Sequence, residues 1–307
     1  MNISYVLHID IDKIKWDTCL DNADNSLIYA RSFYLDIMSP GWDALILDDY
    51  EAVMPLTENK KWGIAYLRQP HFTQQLGIFG NRVFDENLTG IFLKTAAEIF
   101  DFIEINLNYA NEAGRSFAKK CNLVLPLNKP FSETKKLFRK DLVTKAINAK
   151  LSYASSEDIE MAISTFIKNY SHKLNHIKHR SYQDLRRLCV QLKLNGQLLI
   201  RKVSAPDGKL LTVSIFCNDK KRIYYLLSAS DSEARAVDSN AFLLHEIIKE
   251  FSEQDLLFDF EGSEIPSIQS FFKKFGPAEQ PYPFIQINQL PLWKKAIKKW
   301  YDLFKYS

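Results

Sequence analysis

The chain has few cysteines and no pairing among them. Cys19, Cys121, Cys189 and Cys217 stand far apart with no CxxC spacing, so neither a zinc ribbon nor a disulfide framework is indicated and a reducing cytoplasm fits best. Their predicted role is that of small buried hydrophobes. Net charge is also scarce: 40 basic residues against 37 acidic leave +3, too little to point to a nucleic-acid partner. No stretch approaches the roughly 18 uninterrupted apolar residues of a membrane span. The opening MNISYVLHIDIDK lacks the basic start and long apolar run of a signal peptide, so a cytoplasmic protein without a transmembrane segment is expected. GxGxxG and GxxxxGK[ST] are both absent, which excludes the usual dinucleotide and P-loop sites. The stretch HEIIK at His245 begins like a zinc-protease motif, but Lys249 occupies the place of the second histidine.

What is present is globular. Hydrophobic residues make up 46% of the chain and charged residues 25%, proportions that allow a sizeable core. A length of 307 residues suits two domains of about 150 each. In the first half, Trp16, Leu20 and the run Ile28 to Met38 read as two helices, ended by Pro40 and Gly41. Strand-like segments follow, WDALILDD, YEAVMPLTE, WGIAYLRQP and QLGIFG, with charged hairpin tips such as Glu58 to Lys61. Next come a helix striped by Leu93, Ala96, Ala97 and Phe100, and a strand with Glu104, Asn106 and Asn108 on one face. The second half repeats the order: helices over SEDIEMAISTFIKNYSHKL and YQDLRRLCVQLKLNG, then strands QLLIRKVSAP, KLLTVSIFCN and RIYYLLSA. A period of this length predicts tandem copies of one mixed α/β domain, 1–130 and 131–307. The joint falls between CNLVLPLNKP and a basic helix, ETKKLFRKDLVTKAINAK.

The stretch from Asp238 to Gly276 carries the functional reading. Asp238, Ser239 and Asn240 are N-cap types, and Leu244, Ile247, Ile248 and Phe251 fall at the spacing of one buried helical stripe. LLFDFEG then alternates as a strand, with Asp259 and Glu261 at its C-terminal end. A second helix starts near Pro266, with Ile268, Phe271, Phe272 and Phe275 as its stripe, and stops at Gly276 and Pro277. Ligands commonly bind beyond the carboxyl ends of strands beside helix N-termini. Helix N–H groups at Asn240 together with the Arg235 guanidinium could therefore hold a phosphate-bearing ligand.

This succession, with the strand ending DFEGS and the helix ending FFKKFG, resembles the C-terminal half of GNAT-type acyltransferases, in particular the tandem-domain Fem-like proteins, over roughly Leu198 to Asn288. The resemblance implies an α/β fold of two tandem GNAT-like domains. It implies an N-acyltransferase with acetyl-CoA or another acyl-CoA as co-substrate and a small-molecule or peptide amine as acceptor. By the same resemblance, backbone N–H groups of Leu227, Ser228, Ala229 and Ser230 would meet the oxyanion and the pantetheine. Aminoacyl-tRNA, the donor of Fem enzymes acting on cell-envelope precursors, is a second option, but no insertion the size of their helical hairpin is evident. SASDSEARAVDSN contains no glycine where GNAT loops follow Q/R-x-x-G-x-G/A, so a GNAT-fold binding module without transferase activity is the alternative.

Acyl transfer to an amine needs a base, oxyanion donors and an acid for the leaving group. Glu261 is the first candidate base and Asp259 the second, and Tyr224, Tyr225 or Tyr282 could serve as acid. His172, His176 and His179 fall on one helical face, yet no fourth ligand accompanies them and a solvated basic face is the reading, so no metal is expected. The C-terminal stretch places Trp293, Ala296, Ile297, Trp300 and Phe304 opposite Lys294, Lys295, Lys298 and Lys299. Such an amphipathic helix docks on its own domain or, in a homo-oligomer, on a neighbouring subunit; peripheral membrane contact is the other use.

Overall fold

A computed structural model describes residues 1–61, 64–171, 177–262 and 264–291. Its contacts divide the chain into two compact units, Met1–Lys120 with Tyr282–Ser307, and Cys121–Pro281. The chain thus passes from one unit to the other twice, whereas a division at 130 has it passing once.

The first unit opens with β1 (Ile3–Val6), α1 (Lys13–Asn22) and α2 (Ser32–Met38). Asp12 caps α1 by accepting from the N–H groups of Ile14 and Lys15, and Trp16 and Leu20 turn inward. Then come β2 (Asp43–Leu47), β3 (Ala52–Leu56), β4 (Glu58–Lys61), β5 (Ile64–Arg68) and β6 (Phe79–Gly80). Glu58 to Lys61, expected as a hairpin tip, is strand instead, because its backbone pairs with Ile64 to Leu67. After α3 (Glu86–Ile99), capped by Asp85, follow β7 (Phe102–Asn106) and β8 (Ala118–Lys120). The last strand of the chain, Tyr282–Asn288, also belongs here and is β16 in chain order. The strands lie in the orders β1-β2-β3-β6 and β4-β5-β7-β16-β8. The core collects alternate residues of these strands with one face of α3, among them Leu45, Met54, Phe92, Phe100, Ile103 and Ile285.

The second unit contains β9 (Leu123–Pro126), α4 (Phe131–Thr134), α5 (Thr144–Asn148), β10 (Ser152–Ser156), α6 (Ile159–Tyr170) and α7 (His179–Leu194). It continues with β11 (Leu198–Ser204), β12 (Leu210–Asn218), β13 (Arg222–Ser230), α8 (Ser232–Ala236), α9 (Ser239–Glu250), β14 (Leu257–Asp259), α10 (Pro266–Lys273) and β15 (Ala278–Glu279). These strands form one sheet, β10-β11-β12-β13-β14-β9-β15, in which only β13 and β14 run parallel. The expected stripes are buried in large part, with Leu244, Ile247 and Ile248 of α9 and Phe272 and Phe275 meeting Phe258 and Phe260, whereas Ile268, expected in the second stripe, lies on the first turn of α10 and is exposed. Each such side chain contributes about 1.5–3 kcal/mol by leaving water.

Two expectations are corrected. The basic segment after β9 is not one helix: Phe138 is extended and Asp141 has a φ of 64°, which splits it into α4, a 3-10 turn and α5. Strand β13 runs one residue past the expected RIYYLLSA, to Ser230, because Thr212 to Ile215 of β12 pair with it that far. The amphipathic stretch after Pro291, and His172 and His176 of the histidine series, lie outside the described residues. No helix among the described residues is long and apolar enough to cross a membrane, and no group of His, Cys, Asp or Glu among them could hold a metal.

Candidate active site

The second unit's sheet parts at one point. Strands β13 and β14 pair only through Arg222–Leu257, Ile223–Phe258 and Tyr224–Asp259. Beyond Asp259 the backbone turns away: Phe260 donates its N–H to the Leu123 carbonyl of β9 at 3.0 Å, while β13 continues alongside β12 to Ser230. A bulge in the β12–β13 ladder accompanies the parting, since Ile215 faces Leu227 and Cys217 faces Tyr224, leaving Tyr225 and Leu226 opposite the single Phe216. A bulge bends its strand and re-aims the backbone that follows. The result is a slot whose β13 wall is the stretch Tyr225 to Ser230.

The closed end of the slot is held by a buried ion pair. Asp259 Oδ2 accepts from Arg222 Nη1 at 2.5 Å and from Asn122 Nδ2 at 3.1 Å, and its Oδ1 accepts from the Glu261 N–H at 2.8 Å. Arg222 also donates to Gln280 Oε1 at 3.1 Å. Asp259 is wholly buried, and its carboxylate binds the two strands together where they are still paired. Glu261 follows with a φ of 55° and Gly262 with 40°. Two left-handed residues in succession turn the chain out of the strand, and a Cβ on Gly262 would stand 2.2 Å from the Cys121 carbonyl oxygen. Glu261 therefore sits just beyond the strand's carboxyl end, partly exposed.

On the α9 side, β13 and β12 present hydroxyls. Tyr225 donates to Asn240 Oδ1 at 2.8 Å and Ser228 donates to the same oxygen at 3.1 Å. Ser214 donates to Ser228, and Thr212 links Ser230 at 2.8 Å with Ser239 at 2.5 Å. Asn240 is thereby fixed on the first turn of α9. Burial pushes the Tyr225 phenol up to about 12, against hydrogen bonds with Ser228 and Asn240 that pull it down. Leu227 and Ala229 alternate with these serines and are buried on the other face. Between β13 and α9 the glycine-free stretch forms α8, capped by Asp231 through the Ala234 N–H at 2.8 Å. Arg235 on α8 is exposed and donates to the Ser230 carbonyl at 3.4 Å, which also accepts from Tyr170 at 3.1 Å. Asp238 is left-handed and gives α9 no side-chain cap, while its carboxylate pairs with Lys145 at 3.4 Å.

Of the nine candidate residues, Leu227, Ser228, Ala229 and Ser230 lie on β13 beyond its last rung with β14, Arg235 on α8, Asn240 on the first turn of α9, Asp259 on that last rung and Glu261 two residues past it. Tyr282 lies instead on β16, in the first unit. Sequence reasoning missed Arg222 and Asn122, because only the register of β13, β14 and β9 brings them to Asp259.

The first unit has the corresponding parallel pair but closes it. Strands β5 and β7 pair as far as Arg68–Glu104. The chain after β5 then stays on β7: Gln69 N–H donates to Glu104 O at 3.2 Å and Leu76 N–H to Asn106 O at 2.9 Å. The Ile78 carbonyl accepts from the buried amides of Asn25, Asn108 and Asn111 at 2.9, 2.7 and 2.9 Å. Residues 69–80 thus stay hydrogen-bonded to β7 after β5 ends in the first unit, whereas among the described residues of the second no backbone pairing continues between β13 and β14 beyond Tyr224–Asp259.

Residues 135–267 match the family model described as Acetyltransferase (GNAT) domain. No curated protein matches the chain. Among solved structures, FemX superposes with a TM-score of 0.64 at 14% identity, covering 96% of this chain and 99% of FemX. The C-terminal domain of a protein provisionally named lysylphosphatidylglycerol synthetase, from Agrobacterium fabrum, has a TM-score of 0.53 at 11% identity, covering 91% of this chain and 92% of that one. L-PGS from Bacillus licheniformis has a TM-score of 0.50 at 11% identity, covering 93% and 95%. The matched segment spans β10 to β14 and so contains the point where β13 and β14 part; residues 135–267 carry a GNAT-type acetyltransferase domain, and the chain has the fold of FemX.

Proposed function

We propose that this protein is an N-acyltransferase that moves an acyl group from acyl-CoA to an amine, using the slot between β13 and β14. The observation that carries the reading is the parting of these two parallel strands inside the segment that matches the GNAT family model. Backbone N–H groups along Leu227 to Ser230 supply the donors for the tetrahedral oxyanion. The head of α9, free of a side-chain cap, and the exposed Arg235 suit the phosphates of the donor. The amine nitrogen bonds to the thioester carbon, the C–S bond breaks, the thiolate leaves with a proton, and a base removes the amine proton.

Glu261 takes the base role, since it lies at the mouth of the slot in a left-handed conformation that costs a non-glycine residue about 1–2 kcal/mol. Asp259 positions it through the carboxylate that accepts the Glu261 N–H. The first unit, with its own parallel pair of strands and a filled wedge, is read as a second GNAT-like copy; Tyr282, named as an acid from the sequence, is tested as Tyr282→Phe. Small-molecule and peptide amines are the acceptors that this reading admits, in a cytoplasmic protein.

Acetyl-CoA and longer acyl-CoAs are expected to raise the melting temperature, by the equivalent of about 2.7 kcal/mol at a hundred times Kd. Glu261→Gln is expected to lower kcat by about 10²-fold or more with the acyl-CoA KM unchanged. The absence of a thermal shift with every acyl-CoA sinks the donor assignment. It would favour the second reading, a GNAT-fold binding module, which rests on α8 standing where a glycine loop would cradle phosphates.

A further inference from the structure

We propose that the segment 135–150 of the second unit is a docking surface for an anionic lipid bilayer. It carries Lys135, Lys136, Arg139, Lys140, Lys145 and Lys150 with Asp141 as its one acid, an excess of five positive charges in a chain whose net charge is +3. All six cations are exposed. Lys145 pairs with Asp238 at 3.4 Å, and none of the other five makes an ion pair among the described residues. Lys135 acts through space on Glu246 and Lys145 on Asp238, and the charge of Lys136, Arg139, Lys140 and Lys150 is directed at solvent.

The segment is held firmly enough to present that charge. Phe138 packs edge-on against Phe275 at 5.3 Å and His245 at 6.0 Å, with Phe131 against His245 at 5.0 Å. The Arg139 N–H donates to the Lys274 carbonyl at 2.7 Å, and Thr134, Val143 and Ala146 are buried. Phe138 thus turns inward with Val143 and Ala146, while two aliphatic side chains turn outward: Leu137 is 56% exposed and Ile147 59%. Lysines around protruding aliphatic side chains fit the headgroup layer, where the chains enter the acyl boundary and the ammonium groups stay among phosphates. A single-stranded RNA surface would instead need exposed rings on which bases stack. The pairing of Lys145 with Asp238 places one end of this surface beside the head of α9, so docking brings the mouth of the slot to the bilayer. The proposal does not depend on the acyl-transfer reading.

The test is co-sedimentation of the full chain with phosphatidylcholine vesicles, with and without phosphatidylglycerol, across a salt series. Wild type is expected to bind the anionic vesicles and to release as salt shortens the screening length. Lys135→Gln/Lys136→Gln/Arg139→Gln/Lys140→Gln is expected to bind about tenfold more weakly or worse, and Leu137→Ser/Ile147→Ser to weaken binding without changing its salt dependence. If the fourfold variant loses its far-UV spectrum, Lys136→Glu/Lys140→Glu replaces it. Equal binding to both kinds of vesicle, or unchanged binding of the lysine variants, overturns the proposal. So does binding lost only on changing Lys294, Lys295, Lys298 and Lys299, or a fourfold variant that releases duplex RNA while keeping the vesicles.

Discussion

Replacing Arg222 by methionine tests what holds the slot in shape. The substitution keeps most of the side chain's volume but removes the cation that lies 2.5 Å from Asp259 Oδ2, leaving a wholly buried carboxylate with Asn122 and the Glu261 N–H as its remaining donors. Removing one partner of a buried pair typically costs about 3–5 kcal/mol. Two surviving hydrogen bonds place this case near the lower end, about 3 kcal/mol. With a urea slope of about 2 kcal/mol/M, the unfolding midpoint should fall by about 1.5 M. No tryptophan lies in Cys121–Pro281, so far-UV circular dichroism, not fluorescence, follows the relevant transition. Arg222→Met/Asp259→Leu should regain most of the loss, because removing both charges leaves neither buried alone. Since the strands share only three rungs before parting, the single variant should also raise the acyl-CoA KM. A change under about 0.5 kcal/mol, or a double variant no better than the single, would refute the reasoning.

Gly262→Ala should lower the melting temperature by several degrees, since the new Cβ meets backbone at 2.2 Å and φ is positive; an unchanged melting curve would count against the turn. Native alkylation at neutral pH followed by mass spectrometry should modify Cys121 alone. Burial pushes the Cys19 thiol up to about 11, Cys189 up to about 12 and Cys217 well above its ordinary value, so rapid labelling of Cys217 in the folded chain contradicts the packing. Burial pushes the Glu250 carboxyl up, but hydrogen bonds from Arg201 and Tyr153 outweigh it and the net shift is downward. A lowered folded value means that the stabilisation is present above the unfolded carboxylate range and is lost as pH falls through the folded value. Glu250→Gln should therefore flatten the acid limb of stability between about pH 3 and 5, and an unaltered acid limb would show that the trio contributes nothing.

Period and punctuation determined a good deal at the level of sequence. The stripes of α3, α9 and α10 and the alternation around Phe258 and Phe260 follow from which side chains leave water, a local property of spacing. They placed Glu261 at a strand's carboxyl end before any coordinate did. Propensity was silent on the breaks at Phe138 and Asp141, where burying Val143 and Ala146 won over a continuous basic helix. Tertiary structure alone decided three things. It set the register that brings Arg222 and Asn122 to Asp259, across gaps of 37 and 137 residues. It returned β16 to the first unit. And it decided which parallel pair parts: residues 69–80 stay on β7 in one unit, and β13 runs on beside β12 without β14 in the other. The physical reason is common to all three. Backbone hydrogen bonds are nearly blind to side-chain identity, so their partners are chosen by how the whole chain packs.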